Sequence, residues 1–105
     1  MVERVLDATF GALADPSRRA ILHDLRRGER RITELARPFP VSLNAVSKHV
    51  KVLERAGLVR RRVVGRDHFI ALVPTHLRDA SRWIDDYRAF WEPRLDALEA
   101  ILRGG

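Results

Sequence analysis

The last third of the chain constrains its fold most strongly. Between Thr75 and Leu102, apolar side chains recur at steps of three or four residues, the pattern of a coiled-coil-like helix. The seam consists of Leu77, Ala80, Ile84, Tyr87, Trp91, Leu95, Leu98 and Leu102. At 1.5 Å per residue this helix is about 42 Å long. A small domain cannot cover that length alone, so the sequence predicts a partner chain along the seam.

The length and the missing cysteines exclude several classes of protein. The chain has 105 residues, a mass of 12.1 kDa and no cysteine. We predict a single domain over residues 1–105, too small for an enzyme cleft inside a separate core. Disulfides, thiolate metal sites and cysteine nucleophiles are removed together. No apolar run approaches the roughly 18 residues that span a bilayer, and no apolar signal core begins the chain, so we expect a cytoplasmic protein with no membrane partner.

The chain is basic, and its charge is unevenly distributed. It has 20 basic and 14 acidic residues, a formal net charge of +6, and a pI of about 11.1. Residues 1–73 have 15 − 8 = +7, whereas residues 74–105 have 5 − 6 = −1. This balance indicates a polyanionic partner, most often nucleic acid. Eighteen of the cations are arginine, which binds phosphate and guanine in a bidentate manner, although a GC-rich genome also enriches arginine.

The basic residues are densest between Ser42 and Arg66. Seven cations in this stretch accompany one acidic residue, Glu54; they are Lys48, Lys51, Arg55, Arg60, Arg61, Arg62 and Arg66. Ordinary soluble surfaces mix the two signs of charge. This stretch is therefore a candidate for nucleic acid contact.

Three helices are predicted before this stretch. Residues 3–14 have helical apolar spacing, and Asp15 followed by Pro16 suits the start of a second helix over residues 16–27. Residues 28–31 are interpreted as a polar link. Thr33 is the predicted N-cap of a short third helix over residues 34–37, which two prolines end.

Residues 42–56 form the most informative segment. Ser42 is a predicted N-cap, and Gly57 supplies the C-terminal stop. Val46, Val50 and Leu53 share one face, at positions i, i+4 and i+7. The opposite face is polar and basic, with Asn44, Ser47, Lys48, Lys51 and Arg55. One face therefore packs, while the other offers side chains that bond base edges or phosphates.

A β-hairpin is predicted next, over about residues 58–73. Both of its strands are rich in β-branched and aromatic residues, and Gly65-Arg66 forms a two-residue turn with Gly first, as a type II′ turn requires. Arg60, Arg61 and Arg62 interrupt the alternation of apolar and polar residues. A ribbon that projects into solvent would tolerate this interruption.

The predicted elements follow the order of a winged helix-turn-helix: two helices, a short helix, a turn, a basic helix and a hairpin. In this motif the second helix enters the major groove. The chain resembles the ArsR/SmtB family of bacterial transcriptional repressors. The matching stretches are ALADPSRR at residues 12–19, AVSKHVKVL at 45–53 and AGLV at 56–59, while YRAFWE at 87–92 resembles the metal-independent, often autorepressing branch. We expect a mainly α fold with a small β-hairpin: a recognition helix at about 42–56, a wing at about 58–73 and a dimerisation helix at about 75–102.

The resemblance implies a homodimer held by its first and last helices. Its partner is double-stranded DNA carrying a pseudo-palindromic operator, its own promoter being one candidate. The expected DNA-contacting residues are Ser42, Leu43, Asn44, Ser47, Lys48, His49 and Lys51 on the recognition helix, and Arg60, Arg62 and Arg66 on the wing. The expected dimer-interface residues are Val5, Phe10, Ile84, Tyr87, Trp91, Leu95 and Leu98. No catalytic residue, metal ligand or cofactor is expected.

Some positions have more than one interpretation. Leu43 stands where similar family members often have a polar residue; it cannot hydrogen-bond a base edge, but it can touch a thymine methyl group. We favour a packing or phosphate-facing role for His49 over a role in reading bases. At least one of the three wing arginines is expected to make no DNA contact. Arg18 and Arg19 could touch the DNA backbone or pair with Asp15 or Glu29.

Other functions are less well supported. A small-molecule-responsive repressor would use the aromatic seam around Trp83, Tyr87, Phe90 and Trp91 as a pocket, although such aromatics more often form a core or an interface. A pure protein-interaction module would not need a cationic helix face. Regulation by a metal ion is not expected, because the chain has no cysteines near the third helix and no histidines at ligand spacing. An enzyme would need an activated nucleophile or a carboxylate pair, and no such pattern is found.

Overall fold

Five helices and three short strands make up the computed structural model, which describes residues 2–104. In chain order they are α1 (Val2–Leu13), α2 (Pro16–Leu25), β1 (Arg30–Arg31), α3 (Ile32–Ala36), α4 (Leu43–Arg55), β2 (Val59–Val64), β3 (Asp67–Leu72) and α5 (Thr75–Gly104). This is the predicted mainly α architecture, with a winged helix-turn-helix followed by a long helix. None of the described helices is long and apolar enough to cross a membrane.

Two predicted N-caps are confirmed. The Asp15 carboxylate accepts a hydrogen bond from the backbone N–H of Arg18 at 3.0 Å, at the start of α2. The Ser42 hydroxyl accepts one from the N–H of Ala45 at 3.2 Å, at the start of α4. Each bond satisfies a backbone donor that the helix itself leaves free. The recognition helix therefore begins where the sequence indicates.

The interpretation of residues 28–31 as a polar link was incomplete. Arg30 and Arg31 form β1, which pairs antiparallel with β3 opposite Ile70 and Phe69. The sheet has three strands in the order β1-β3-β2, one more than the predicted hairpin. A strand of two arginines has no apolar alternation of its own. It forms because β3 presents a free edge to it, which is a long-range effect.

The predicted start of the third helix was wrong. The N-cap of α3 is Arg31, and Thr33 lies inside the helix. The Glu34 carboxylate accepts a hydrogen bond from the Arg31 N–H at 3.2 Å. The earlier start places Ile32 and Leu35 on the same side of the helix, and both are buried in the core.

One hydrophobic core joins the first four helices to the sheet. Its buried members are Ala12, Ile21, Leu22, Leu25, Ile32, Leu35, Val46, Val50, Leu53, Ala56, Leu58, Val59 and Ile70. The burial ends at Ala80 in α5, and every residue from 81 to 104 is exposed. The radius of gyration is 17.9 Å, whereas a compact domain of this length has about 13 Å. The difference arises because α5 extends away from the body.

Candidate nucleic-acid interface

The two faces of α4 differ as the sequence predicts. Val46, Val50 and Leu53 are fully buried. The opposite side of the helix is exposed and polar, with Asn44, Lys48, Lys51 and Arg55, and Ser42 and Leu43 are exposed at its N-terminal end. Ser47 is half-buried at the edge of this surface. α2 and α3 both pack against α4 and so fix it from behind.

His49 points back toward α2. Its ring is half-buried, with Nδ1 3.4 Å from an Arg18 guanidinium nitrogen and 3.8 Å from an Asp15 carboxylate oxygen. The hydrogen bond from the Arg18 N–H, assisted by the charges of His49 and Arg18, lowers the pKa of Asp15. This geometry favours the packing interpretation of His49, which braces the recognition helix against α2. Its contact with DNA stays a prediction.

Arg18 and Arg19 bind the end of α1. The Arg18 guanidinium donates to the carbonyl oxygens of Ala12 and Gly11 at 2.7 and 3.1 Å, and Arg19 donates to that of Leu13 at 2.7 Å. Cations are favourable at helix C-termini, where carbonyl oxygens lack helical partners. Both guanidinium groups thus stay within the protein, but they bind α1 carbonyl oxygens, whereas the sequence suggested carboxylates as their partners.

Arg61 connects the wing to the recognition helix. It lies opposite Ile70 on the inner face of the sheet, so the alternation of β2 continues through the three arginines. Its guanidinium donates to Glu54 Oε1 at 2.6 and 3.2 Å and lies 2.9 Å from His68 Nδ1. The sequence analysis missed this structural role. The available signal was Glu54, the one acidic residue in the basic stretch, seven positions before Arg61.

Arg62 lies on the outer face of the sheet and is also paired. It donates to Glu29 at 2.6 Å, which lowers the pKa of the Glu29 carboxyl group. Its guanidinium stands 4.5 Å from the centre of the Phe69 ring, and Arg31 approaches the same ring at 5.5 Å. Arg62 is therefore bound to the loop before β1. Its Nε and one Nη already bond Glu29, which limits what Arg62 can offer a phosphate.

The remaining cations of the stretch form the cationic surface. They are Lys48, Lys51, Arg55, Arg60 and Arg66, which are all exposed. Within residues 2–104, none of the five forms an ion pair. Gly65 has a φ of 60° and Arg66 has a negative φ, which fits the predicted type II′ turn at the wing tip. The cationic surface therefore extends from α4 to this turn.

The predicted interface residues of α5 lie along an open apolar seam. Ile84, Tyr87, Trp91, Leu95 and Leu98 are 38–54% exposed. The rings of Trp83 and Tyr87 stack at 5.0 Å, and Trp91 follows Tyr87 at 5.8 Å.

The α1 end of this seam is partly covered within the chain. Phe10 is half-buried and meets Trp83 edge-on at 5.7 Å, and Val5 is half-buried as well. Within one chain, Trp83 and Phe10 line a shallow cavity between α1 and α5, while Tyr87 and Trp91 line open surface. In the part of the chain that the structure describes, no three His, Asp or Glu side chains are grouped to hold a metal ion.

Comparisons with known proteins agree with this geometry. A family model described as a helix-turn-helix domain matches residues 13–62. The HTH-type transcriptional regulator Rv2034 of Mycobacterium tuberculosis is 48% identical over 96 residues, which cover 91% of this chain and 87% of that protein. A crystal structure of an ArsR family transcriptional regulator, RHA00566, is 36% identical and has a TM-score of 0.80, covering 86% of this chain and 93% of that one.

The chain belongs to the ArsR/SmtB family of transcriptional repressors. A more distant solution structure, of Mb0332 from Mycobacterium bovis, is 23% identical with a TM-score of 0.63 and covers 90% of this chain and 84% of that fragment. It shares the winged helix-turn-helix fold and is itself described as homodimeric. As a family member, the chain is a DNA-binding transcriptional regulator. The exposed surface of α4 and the wing is the part of this repressor fold that suits DNA.

Proposed function

We propose that this ArsR/SmtB-family protein is a homodimeric repressor that binds a pseudo-palindromic operator and acts without a metal ion. The observation that carries the proposal is the exposed polar and cationic face of α4, opposite its buried face. Every phosphate contact releases counterions and so adds affinity for any DNA, while contacts with base edges add sequence preference. The face of α4 offers both kinds of side chain.

The proposed contacts divide by chemistry. Asn44 and Ser47 lie near the N-terminal end of α4, where recognition helices meet base edges. Lys48, Lys51, Arg60 and Arg66, which form no ion pair within residues 2–104, are proposed to bind phosphates. Ser42 lies at the exposed start of α4, whereas His49 is turned toward α2. Arg62 shares its guanidinium with Glu29, which makes it the wing arginine with the weakest expected role.

The proposed dimer follows from the uncovered seam. A second copy of α5, together with its α1, would bury the apolar side chains that one chain leaves in water. Two-fold symmetry would then present two recognition helices to DNA half-sites that lie one helical turn or a multiple of it apart, about 10 base pairs. Repression would be steric, because the bound dimer would exclude polymerase from the promoter.

The base-reading role is tested by Asn44→Ala and Ser47→Ala. Each variant should lose about 1–3 kcal/mol in binding a selected operator and almost nothing on shuffled DNA. Fluorescence anisotropy on both duplexes measures this difference. Ser81→Ala removes an exposed serine from α5 and serves as the control. Equal losses on operator and shuffled DNA would contradict the base-reading role.

A further inference from the structure

Two exposed apolar side chains flank the N-cap of the recognition helix. Val41 and Leu43 are 49% and 45% exposed, on either side of Ser42. Within residues 3–82, the other large apolar side chains with comparable exposure are Val63 and Val64 in the wing. The remaining large apolar residues of this region are buried or half-buried. Outside the wing, Val41 and Leu43 are therefore the exceptions to the burial of large apolar side chains within residues 3–82.

Packing within the chain can cover only part of the Val41 side-chain surface. A residue before an N-cap often packs against the fourth residue of the helix, here the buried Val46. Even with such a contact, about half of the Val41 surface is exposed. Leu43 is the first residue of α4, three positions before the buried Val46, and nearly half of its surface is exposed. The outward surface of both side chains thus has no partner among the residues that the structure describes.

The place of these residues limits what they can recognise. The N-terminal residues of a recognition helix approach base edges in the major groove. There the bases expose hydrogen-bonding groups and one apolar group, the 5-methyl group of thymine. An apolar side chain placed against a donor or acceptor would exclude water without replacing the lost hydrogen bond, which is unfavourable. Against a methyl group, it buries apolar surface on both partners.

We infer that Val41 and Leu43 read thymine methyl groups, so that each half-site carries thymine beside the bases that Asn44 and Ser47 contact. This inference rests on the proposed function and specifies its DNA target. It adds Val41 to the reading surface and gives Leu43 a selective role. Removal of one contacted methyl group should weaken binding about fourfold, the value for one buried carbon.

The test separates the methyl group from the rest of the base. The purified full-length protein first enriches duplexes from a randomised library. The tightest duplex is then made with deoxyuridine in place of each thymine in turn, in both half-sites. Deoxyuridine keeps the pairing and the O4 acceptor and lacks only the methyl group. At one or two positions the dissociation constant should rise about fourfold per half-site, or about 4 × 4 = 16-fold for both.

Leu43→Ala and Val41→Ala should each abolish the deoxyuridine effect at one of these positions. Alanine suits the first turn of a helix, and circular dichroism checks folding. Val63→Ala is the matched control: its side chain is 54% exposed, but it lies in the wing, and it should keep the full effect.

Two results would overturn the inference alone: no sensitivity to deoxyuridine in the wild type, or unchanged sensitivity in both alanine variants. Failure to enrich any sequence would overturn the proposed function, and the inference with it.

Discussion

Apolar residues are mostly buried in the body of the protein and exposed in the outer part of α5. In the body, residues 3–80, the apolar faces of the first four helices and the sheet meet in one core. In residues 81–104, apolar residues recur with the same regularity, yet all of them are exposed. The difference is therefore not one of composition. The body has intrachain counterparts for its apolar faces, whereas the described part of outer α5 has an aromatic counterpart only at its start, where Trp83 meets Phe10.

The two regions should also differ in what keeps them ordered. The body is stabilised by burial, which one chain supplies. Along outer α5, the described ion pairs within the helix are Arg88 with Asp85 and Glu92, and Arg103 with Glu99. Such pairs stabilise an exposed helix by only about 0.2–0.5 kcal/mol each. We therefore expect the order of outer α5 to depend on a second chain.

The largest effect is expected from a charge in the middle of the seam. Trp91→Asp should produce monomers, because a dimer would bury an unpaired carboxylate in each chain. The dimer dissociation constant should rise about a thousandfold or more. Sedimentation velocity over a range of concentrations measures this. Ala89→Asp, on the other side of α5, should remain dimeric, and a dimeric Trp91→Asp protein would disprove the seam.

Two leucine substitutions distinguish burial within one chain from burial between two chains. Leu53→Ala removes a fully buried side chain from the core and should cost about 2–5 kcal/mol of unfolding free energy. Leu98→Ala should destabilise less, and its effect should vary with protein concentration, because it acts through the dimer. Urea titrations at two concentrations distinguish the cases. A loss for Leu98→Ala that does not vary with concentration would place its side chain in a contact within one chain.

A smaller effect separates two arginines of the wing. Arg66→Gln should lower the slope of log affinity against log salt concentration by about one per chain, since each lost phosphate contact lowers it by that amount. Arg62→Gln should change the slope less, because Arg62 already pairs with Glu29. Anisotropy titrations between two salt concentrations give both slopes. Equal slope changes would contradict this, because they would show that Arg62 contacts a phosphate as fully as Arg66 does.

The smallest expected effect concerns acid and Asp15. Its carboxylate caps α2 through the Arg18 N–H, and its pKa in the folded chain is lowered. The stabilisation is present above the unfolded value of about 3.9 and is lost as the pH falls through the lower folded value. Asp15→Asn keeps a capping oxygen without the charge. Its stability should fall below that of the wild type at pH 6 and approach it as the pH falls through the lowered folded pKa of Asp15, as followed by thermal unfolding.

Local patterns in the sequence predicted most of the fold. The caps at Asp15 and Ser42, the two faces of α4 and the turn at Gly65 are each set by residues within a few positions of one another. What failed depended on distant partners. β1 forms on the free edge of β3, 40 residues further along the chain for Arg30 and Ile70 (70 − 30). No property of residues 28–31 alone indicates this pairing.

The candidate site was predictable in position and less so in detail. Amphipathicity placed the polar surface of α4, but the sequence could not show which of seven cations are already paired. Arg62 pairs with Glu29, 33 residues earlier, and Arg61 pairs with Glu54 across the boundary between helix and strand. Five of these cations form no ion pair with the described residues 2–104. Among the wing arginines, Arg61 and Arg62 are held by carboxylates, whereas Arg60 and Arg66 are available to DNA.

The most direct test of the account is the stoichiometry of the protein on selected DNA. Sedimentation velocity with a labelled duplex from the enriched library should show two chains per duplex, with a preference over shuffled DNA that persists as salt is raised. That result would show that a dimer formed through the α5 seam binds DNA through the α4 face. One chain per duplex, or equal and salt-sensitive binding to both DNAs, would contradict it.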